Sequence, residues 1–263
     1  MSAEDAWRAL RGVTAARIGL GRSGSAQTTR AVLDFAMAHA LARDAVRTPL
    51  AWDVLEAALA ALGQRCVHVA SAAPDRDVYL RRPDLGRRLA AASRERVVAA
   101  CPEPRELLIV IGDGLSSTGV AANAPGLVAA LLRLVQDGGW TLGPIVLAAQ
   151  ARVALGDEVA ESVGARAVLM LIGERPGLSS PDSLGAYLTY APRVGRRDAE
   201  RNCVSNIRAG GLAPAEAAFR LAWLLRAAFV RRLSGVQLKD ESDVARELAN
   251  ARPGALARDG EGH

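Results

Sequence analysis

The chain has 263 residues, 50 % of them hydrophobic and 23 % charged, which is enough to bury a sizeable core and excludes disorder of the whole chain. Only 4 % are aromatic, which argues against a stack of aromatic platforms for single-stranded nucleic acid. The net charge is +5, and of 33 basic residues Lys239 alone is lysine. The arginines are scattered along the chain, which points to a solvated basic surface and not to a nucleic-acid footprint.

In chain order, residues 1–100 read as mostly helical. Apolar spacing predicts helices over 28–47 and 51–62, the second stopped by Gly63. The segment C-V-H-V-A (66–70) is short and β-prone, and Pro83 precedes a helix expected over 84–100. From residue 105 the texture changes. Short apolar runs at 106–111, 144–149 and 167–172 read as buried strands. Helices are expected between them at 125–136 and 156–163, and a last long one over 214–233. Strands apolar on both faces, alternating with helices, imply a parallel sheet covered on both sides. The fold class expected is therefore α/β: a Rossmann-like parallel sheet with helices on both faces, preceded by a mostly helical N-terminal part. The division expected is a helical part over 1–100, the Rossmann-like domain over 101–240 and a C-terminal tail over 241–263. The Gly-, Arg- and Asp-rich end of that tail, 251–263, is expected to be disordered.

The first candidate site is a decoy. Gly19-Leu-Gly21-Arg-Ser-Gly24 fits the dinucleotide pattern G-x-G-x-x-G, and Asp44 lies where a ribose-binding acid would sit. A strand should precede the first glycine, however, and the acid should end a second strand. Only Ala-Ala-Arg-Ile precedes Gly19, and Asp44 lies in a helical pattern. A loop leading into a helix, holding a partner or a phosphate through backbone N–H groups, suits these residues better.

His39 and His68 read as structural, and no spacing suggests a zinc site or a Ser-His-Asp triad. Cys66, Cys101 and Cys203 are too few and too far apart for a disulfide framework, which points to a reducing compartment. No signal peptide or transmembrane helix is expected. The loops after the three apolar strands are richer. They carry Gly112-Asp113-Gly114, then Ala151-Arg152-Val153 through Asp157-Glu158, then Gly173-Glu174-Arg175. In a parallel sheet these loops share one edge, where ligands bind. Asp113, Glu174 and Arg175 are expected to converge on one crevice there. The residues alone leave open whether this is a ligand site or an Asp-Gly turn beside a charged helix cap. Tyr187, Tyr190 and Cys203 follow. Cys203 has no histidine nearby to activate it, so a small buried residue packed against a large ligand is expected and not a nucleophile.

Taken together, long stretches of the chain resemble the small (light) subunit of ethanolamine ammonia-lyase. They are A-R-I-G-L-G-R-S-G (16–24), T-R-A-V-L-D-F (29–35), H-A-L-A-R-D-A-V (39–46), Y-L-R-R-P-D-L-G-R-R-L (79–89), V-I-G-D-G-L-S-S (110–117), A-R-V-A-L-G-D-E (151–158), L-I-G-E-R-P-G-L (171–178), D-S-L-G-A-Y-L-T-Y-A-P-R (182–193) and R-N-C-V-S-N-I-R (201–208). They stand in family order over about residues 12–240. The resemblance implies an adenosylcobalamin-dependent enzyme of ethanolamine catabolism that yields acetaldehyde and ammonia. It implies a large subunit, a TIM-type barrel holding the substrate and most catalytic groups, and a large complex of heterodimers. It also implies that this chain closes over cobalamin at the subunit interface. The family's cobalamin-contacting positions fall here on Val153, Glu174 and Cys203, with no catalytic residue or metal ligand on this chain. Family members keep the cofactor's own base on cobalt, in keeping with the lack of a D-x-H-x-x-G motif here.

Composition, the scattered arginines and the lack of a long apolar run leave no nucleic-acid or membrane partner expected. The chain starts about ten residues before the shared core, too short for the targeting helix of some relatives. A free cytoplasmic enzyme is the expectation, with a bacterial microcompartment only if the locus encodes one. Two readings compete: a stand-alone Rossmann-like enzyme acting on a nucleotide or phosphorylated substrate, and a structural subunit that touches no cofactor.

Overall fold

Three apolar runs set the centre of the molecule. In the computed structural model, which describes residues 3–14 and 16–250, these runs are β-strands with every residue, or all but the last, buried. The chain begins with helix α1 (Ala3–Arg11), a small hairpin of β1 (Arg22–Ser23) and β2 (Ala26–Gln27), and helices α2 (Thr29–Arg47) and α3 (Trp52–Ala60). Then come β3 (Cys66–Ala70), α4 (Arg76–Arg81), a single 3₁₀ turn (Leu85–Arg87) and α5 (Ala91–Ala100). The central part runs β4 (Leu107–Gly112), α6 (Ser117–Asp137), β5 (Ile145–Ala149), α7 (Val153–Ser162) and β6 (Ala167–Gly173). It ends with β7 (Leu184–Tyr190), β8 (Asn202–Ile207), α8 (Pro214–Arg231) and α9 (Ser242–Asn250).

The six main strands form one sheet in the order β3-β5-β4-β6-β7-β8. The first four are parallel, and β7 and β8 add antiparallel to the β6 side. The expected Rossmann-like α/β sheet is thus present, with an antiparallel extension that the sequence did not announce. β3 comes from the helical N-terminal part and forms the opposite edge, so the sheet spans the line drawn at residue 100. Within the region expected as tail, 242–250 are helical as α9, and 251–263 lie outside the described residues.

Side chains alternate between the two faces of the sheet. Leu107, Ile109 and Ile111 pack with Leu127 and Leu131 of α6 and Leu221 and Leu225 of α8. Leu108 and Val110 face the other way, onto Val97 of α5 and Leu155 and Val159 of α7. Each such side chain, fully buried, stabilises the fold by about 1.5–3 kcal/mol. The helix expected from residue 125 starts earlier, at Ser117. The Ser116 hydroxyl caps it by accepting the Gly119 N–H at 3.0 Å, and Pro125 is carried inside it. α6 matches a membrane span in length and composition, yet Val120, Leu127, Leu131 and Val135 are buried in the core. The helix expected over 84–100 is split, because Leu89 leaves it to bridge to Ser71 beside β3.

Candidate functional site

The chain leaves β4 toward α6 on one face of the sheet and leaves β5 toward α7 on the other. The carboxyl ends of these neighbours therefore diverge, and a crevice opens between them. It has a volume of about 210 Å³. Gly114 and Leu115 line it after β4, Arg152 and Val153 at the start of α7, and Ile172, Gly173, Glu174 and Arg175 at the end of β6. Tyr187 of β7 and Tyr79 of α4 complete the lining. A larger cavity of about 740 Å³ lies at the amino-terminal edge, among Arg65, Cys101, Arg105 and Pro144. It lies at the opposite end of the strands from the loops of an α/β ligand site.

Two glycines let the loops close on each other. Gly114 has φ +58°, and a Cβ there would collide with the Gly173 carbonyl oxygen. A Cβ at Gly173 would collide with the Ser116 carbonyl. The Leu115 N–H donates to the Gly173 carbonyl at 2.8 Å, which fastens the loop after β4 to the end of β6.

Val153 and Glu174 come together in this crevice. The Glu174 carboxylate is held through Oε2, which accepts the Ser183 hydroxyl and, at 3.1 Å, the Asn206 N–H. Its Oε1 accepts no hydrogen bond among the described residues. Cys203 does not line the crevice. It stands on the edge strand β8, exposed, directly across from Tyr187, which does. Cys203 is thus exposed where a buried residue was expected, and it and Tyr187 shift each other's titration as cross-strand neighbours. Burial pushes the Cys203 thiol above its ordinary value and the Glu174 charge adds to this, while the Tyr187 partner pulls it down. Burial likewise raises the Tyr187 hydroxyl, with Cys203 and Glu174 adding to it.

The expected convergence of Asp113 with Glu174 and Arg175 does not occur. The Asp113 carboxylate is buried and turned toward the next loop. It accepts the N–H groups of Gly114 at 2.9 Å, Gln150 at 3.1 Å and Ala151 at 3.1 Å, and pairs with Arg76 at 3.5 Å. Burial raises its pKa from the ordinary range, against the pull of those amides and of Arg76. Asp113 thus ties the ends of β4 and β5 together, and its lone pairs are taken by the backbone.

Two further groups brace the crevice. Tyr79 is wholly buried, donates to the Ala151 carbonyl at 2.9 Å, and has Arg76 and Arg152 over its ring at 4.8 and 4.3 Å. Its hydroxyl is pushed up to about 12, chiefly by burial. Asp157 of α7 and Arg201, the residue before β8, form an ion pair that is only 2 % exposed on each side. This pair links the helix that starts at Val153 to the strand that carries Cys203.

His39 stacks on Phe35 at 6.3 Å, and His68 pairs with Glu56 at 2.8 Å, both away from the crevice. Among the described residues no group of three His, Cys, Asp or Glu is placed to hold a metal ion. In the glycine loop, Gly19, Gly21 and Gly24 all have positive φ and lead through the small hairpin into α2. Among the described residues no strand precedes Gly19, and Asp44 lies within α2. Sequence reasoning missed Tyr79 as part of the site and named Arg152 only as a member of the loop after β5. Arg152 could have been found as the residue that enters a helix straight from a strand end.

Fold and crevice define a doubly wound α/β protein whose ligand edge is open on one side. The family model described as Ethanolamine ammonia-lyase light chain (EutC) matches residues 4–239. A protein of Xanthomonas campestris pv. campestris named ethanolamine ammonia-lyase small subunit is 54 % identical over 242 residues, covering 91 % of this chain and 89 % of its own. Proteins of the same name from Bradyrhizobium diazoefficiens and Azotobacter vinelandii are 56 % identical over 234 residues and 51 % identical over 255 residues. The former alignment covers 89 % of this chain and 90 % of the relative, the latter 95 % and 94 %. The chain belongs to the ethanolamine ammonia-lyase light-chain family, whose members are named as subunits of a carbon–nitrogen lyase.

Proposed function

We propose that this chain is the small subunit of an adenosylcobalamin-dependent ethanolamine ammonia-lyase and covers one side of the cobalamin at the interface with the large subunit. The complex converts ethanolamine to acetaldehyde and ammonia in ethanolamine catabolism. The observation that carries the reading is the crevice itself. It sets Val153 and Glu174 side by side at the carboxyl edge of the sheet, with Cys203 behind Tyr187. At about 210 Å³ it is smaller than a pocket that encloses even a drug-sized ligand, so it suits one edge of a large ligand covered from elsewhere.

The donor set fits such a ligand. Val153 offers an apolar surface. The free Oε1 of Glu174 can accept N–H groups from neutral amide side chains, which a corrin carries around its rim. The Ser183 and Asn206 bonds hold that carboxylate in place before the ligand arrives. Cys203, with its thiol pKa raised, serves as a soft packing neighbour and stays unreactive. Adenosylcobalamin, when bound, supplies the radical chemistry of the reaction. This chain's residues contribute placement and exclusion of water.

An exposed apolar stripe supports the partner. Leu33, Met37 and Leu41 of α2 are 63 %, 63 % and 52 % exposed, and only Ala31 and Ala45 of that helix are buried. The three cysteines are all free, as a reducing cytoplasm leaves them. The experiment is ammonia release from ethanolamine with adenosylcobalamin, first with this chain alone and then with the large subunit of the same organism. Activity in the mixture only is the expected result. A stable complex without activity would end the reading.

A further inference from the structure

The crevice carries more positive charge than its own acids balance. Arg152 and Arg175 both line it, and Glu174 is the only acid that does so among the described residues. Arg152 lies over the Tyr79 ring and donates one long bond, 3.4 Å, to the Tyr79 carbonyl. Its Nε is buried and has no hydrogen-bond partner, and no carboxylate pairs with it among the described residues.

Arg76, which also lies over the Tyr79 ring, is satisfied by contrast. It donates to the Val46 carbonyl at 2.7 and 2.8 Å and to the Gly114 carbonyl at 2.8 Å, and it pairs with Asp113. Arg175 is exposed and has neither a hydrogen bond nor an ion pair among the described residues. α7 starts directly after Arg152 with no side-chain cap and no acid in its first turn, so its positive end adds to the field.

A half-buried guanidinium with an empty donor costs free energy until an anion meets it. Its planar fork matches the oxygens of a phosphate. We infer that Arg152 and Arg175 form an anion subsite for a phosphodiester, namely the one in the nucleotide tail of the cobalamin proposed above. This rests on that reading of the crevice. Glu174 and Val153 then take the neutral rim of the ligand, and the arginine pair takes its one anionic side group.

The test is corrinoid binding to the complex of this chain with its large subunit, followed by visible absorbance. Cobinamide lacks the whole nucleotide tail, and cobinamide phosphate carries the phosphate without the ribose and base. The parent complex is expected to bind cobinamide phosphate about tenfold or more tighter than cobinamide. Arg175→Gln and Arg152→Gln shrink that ratio toward one and leave cobinamide affinity unchanged, and Arg152→Lys keeps most of it. Arg175 is exposed, so its variant keeps the test open if loss of the Arg152–Tyr79 stack impairs folding. Equal losses for both ligands, or an unchanged ratio in both variants, would overturn the inference. Equal binding of the two ligands by the parent would overturn it too, while leaving the cobalamin reading intact. A parent complex that bound no corrinoid would remove the cobalamin reading and this inference with it. Inorganic phosphate offers the same chemistry. Should it alone raise the melting temperature of the parent but not of the variants, the subsite takes a free anion and the assignment to the cofactor fails.

Discussion

Removing one half of the Asp157–Arg201 pair should be far costlier than removing both. Each side chain is 2 % exposed, so neither charge can be rescued by water once its partner is gone. The pair also has loose ends, since Asp157 Oδ1 and Arg201 Nε have no hydrogen-bond partner among the described residues. Its remaining bonds are from Arg201 to the Arg196 carbonyl at 2.9 Å and to Asp198 at 2.8 Å. The Asp198 side chain is 95 % exposed, so solvent screens its share. An uncompensated buried charge costs about 3–5 kcal/mol. Asp157→Leu or Arg201→Met alone should therefore lower the melting temperature by roughly 10 °C in a chain of this size. The double variant should sit within about 1 kcal/mol of the parent or above it, because an apolar pair has no desolvation to repay. Urea unfolding of all four proteins gives the cycle, with an expected coupling of about 3 kcal/mol or more. A double variant that loses the sum of the two single losses would show that the pair is not a unit and would sink the reasoning.

Gly114→Ala should destabilise the chain by about 1–3 kcal/mol in thermal unfolding, since φ is +58° and the added Cβ meets the Gly173 carbonyl. Gly139→Ala has a similar φ of +71° but open space around it, so it should cost less, and equal losses would show that the contact is not what matters. Cys203 should alkylate more slowly at pH 8 than an unhindered thiol, because its raised pKa leaves less thiolate. Tyr187→Phe should slow it further, as it removes the partner that lowers that pKa, and peptide mapping after iodoacetamide decides. Glu216 is held below its ordinary value of 4.5 by Arg246 at 2.8 Å and Arg220 at 3.2 Å. A lowered carboxyl pKa stabilises above the unfolded value and loses that effect as pH falls through the folded one. Glu216→Gln should thus weaken the fold at pH 7 and make no difference in strong acid, and a deficit that persists in acid would point to lost packing instead.

The parts legible in the sequence were those that burial writes locally. β4, β5 and β6 are continuous apolar runs because helices cover both faces, and such runs stand out from any polar background. β8 was not legible, since its exposed positions carry Cys203, Ser205 and Asn206 and break the apolar run. β7 is interrupted by Gly185 and follows a Ser- and Pro-rich loop. The start of α6 was hidden by Gly119, Asn123 and Pro125, all poor interior helix formers, and the structure keeps it helical by burying Val120, Ala124 and Leu127. At the site, strand ends placed Val153 and Glu174 correctly on one edge. Asp113 was misjudged because its partners, the Gln150 and Ala151 amides, come from another loop, and no local pattern encodes that. Cys203 was expected to be buried and lies exposed, since an edge strand met through Tyr187 has no spacing rule.

In the function proposed above, the crevice is half of a container. A ligand that touches this chain and a second one belongs thermodynamically to neither. Its binding and the joining of the two chains then share one coupling free energy, and each must strengthen the other by the same factor. Substitutions far from the crevice that loosen the α2 stripe would read out as weakened ligand affinity. Withdrawal of the ligand would read out as dissociation.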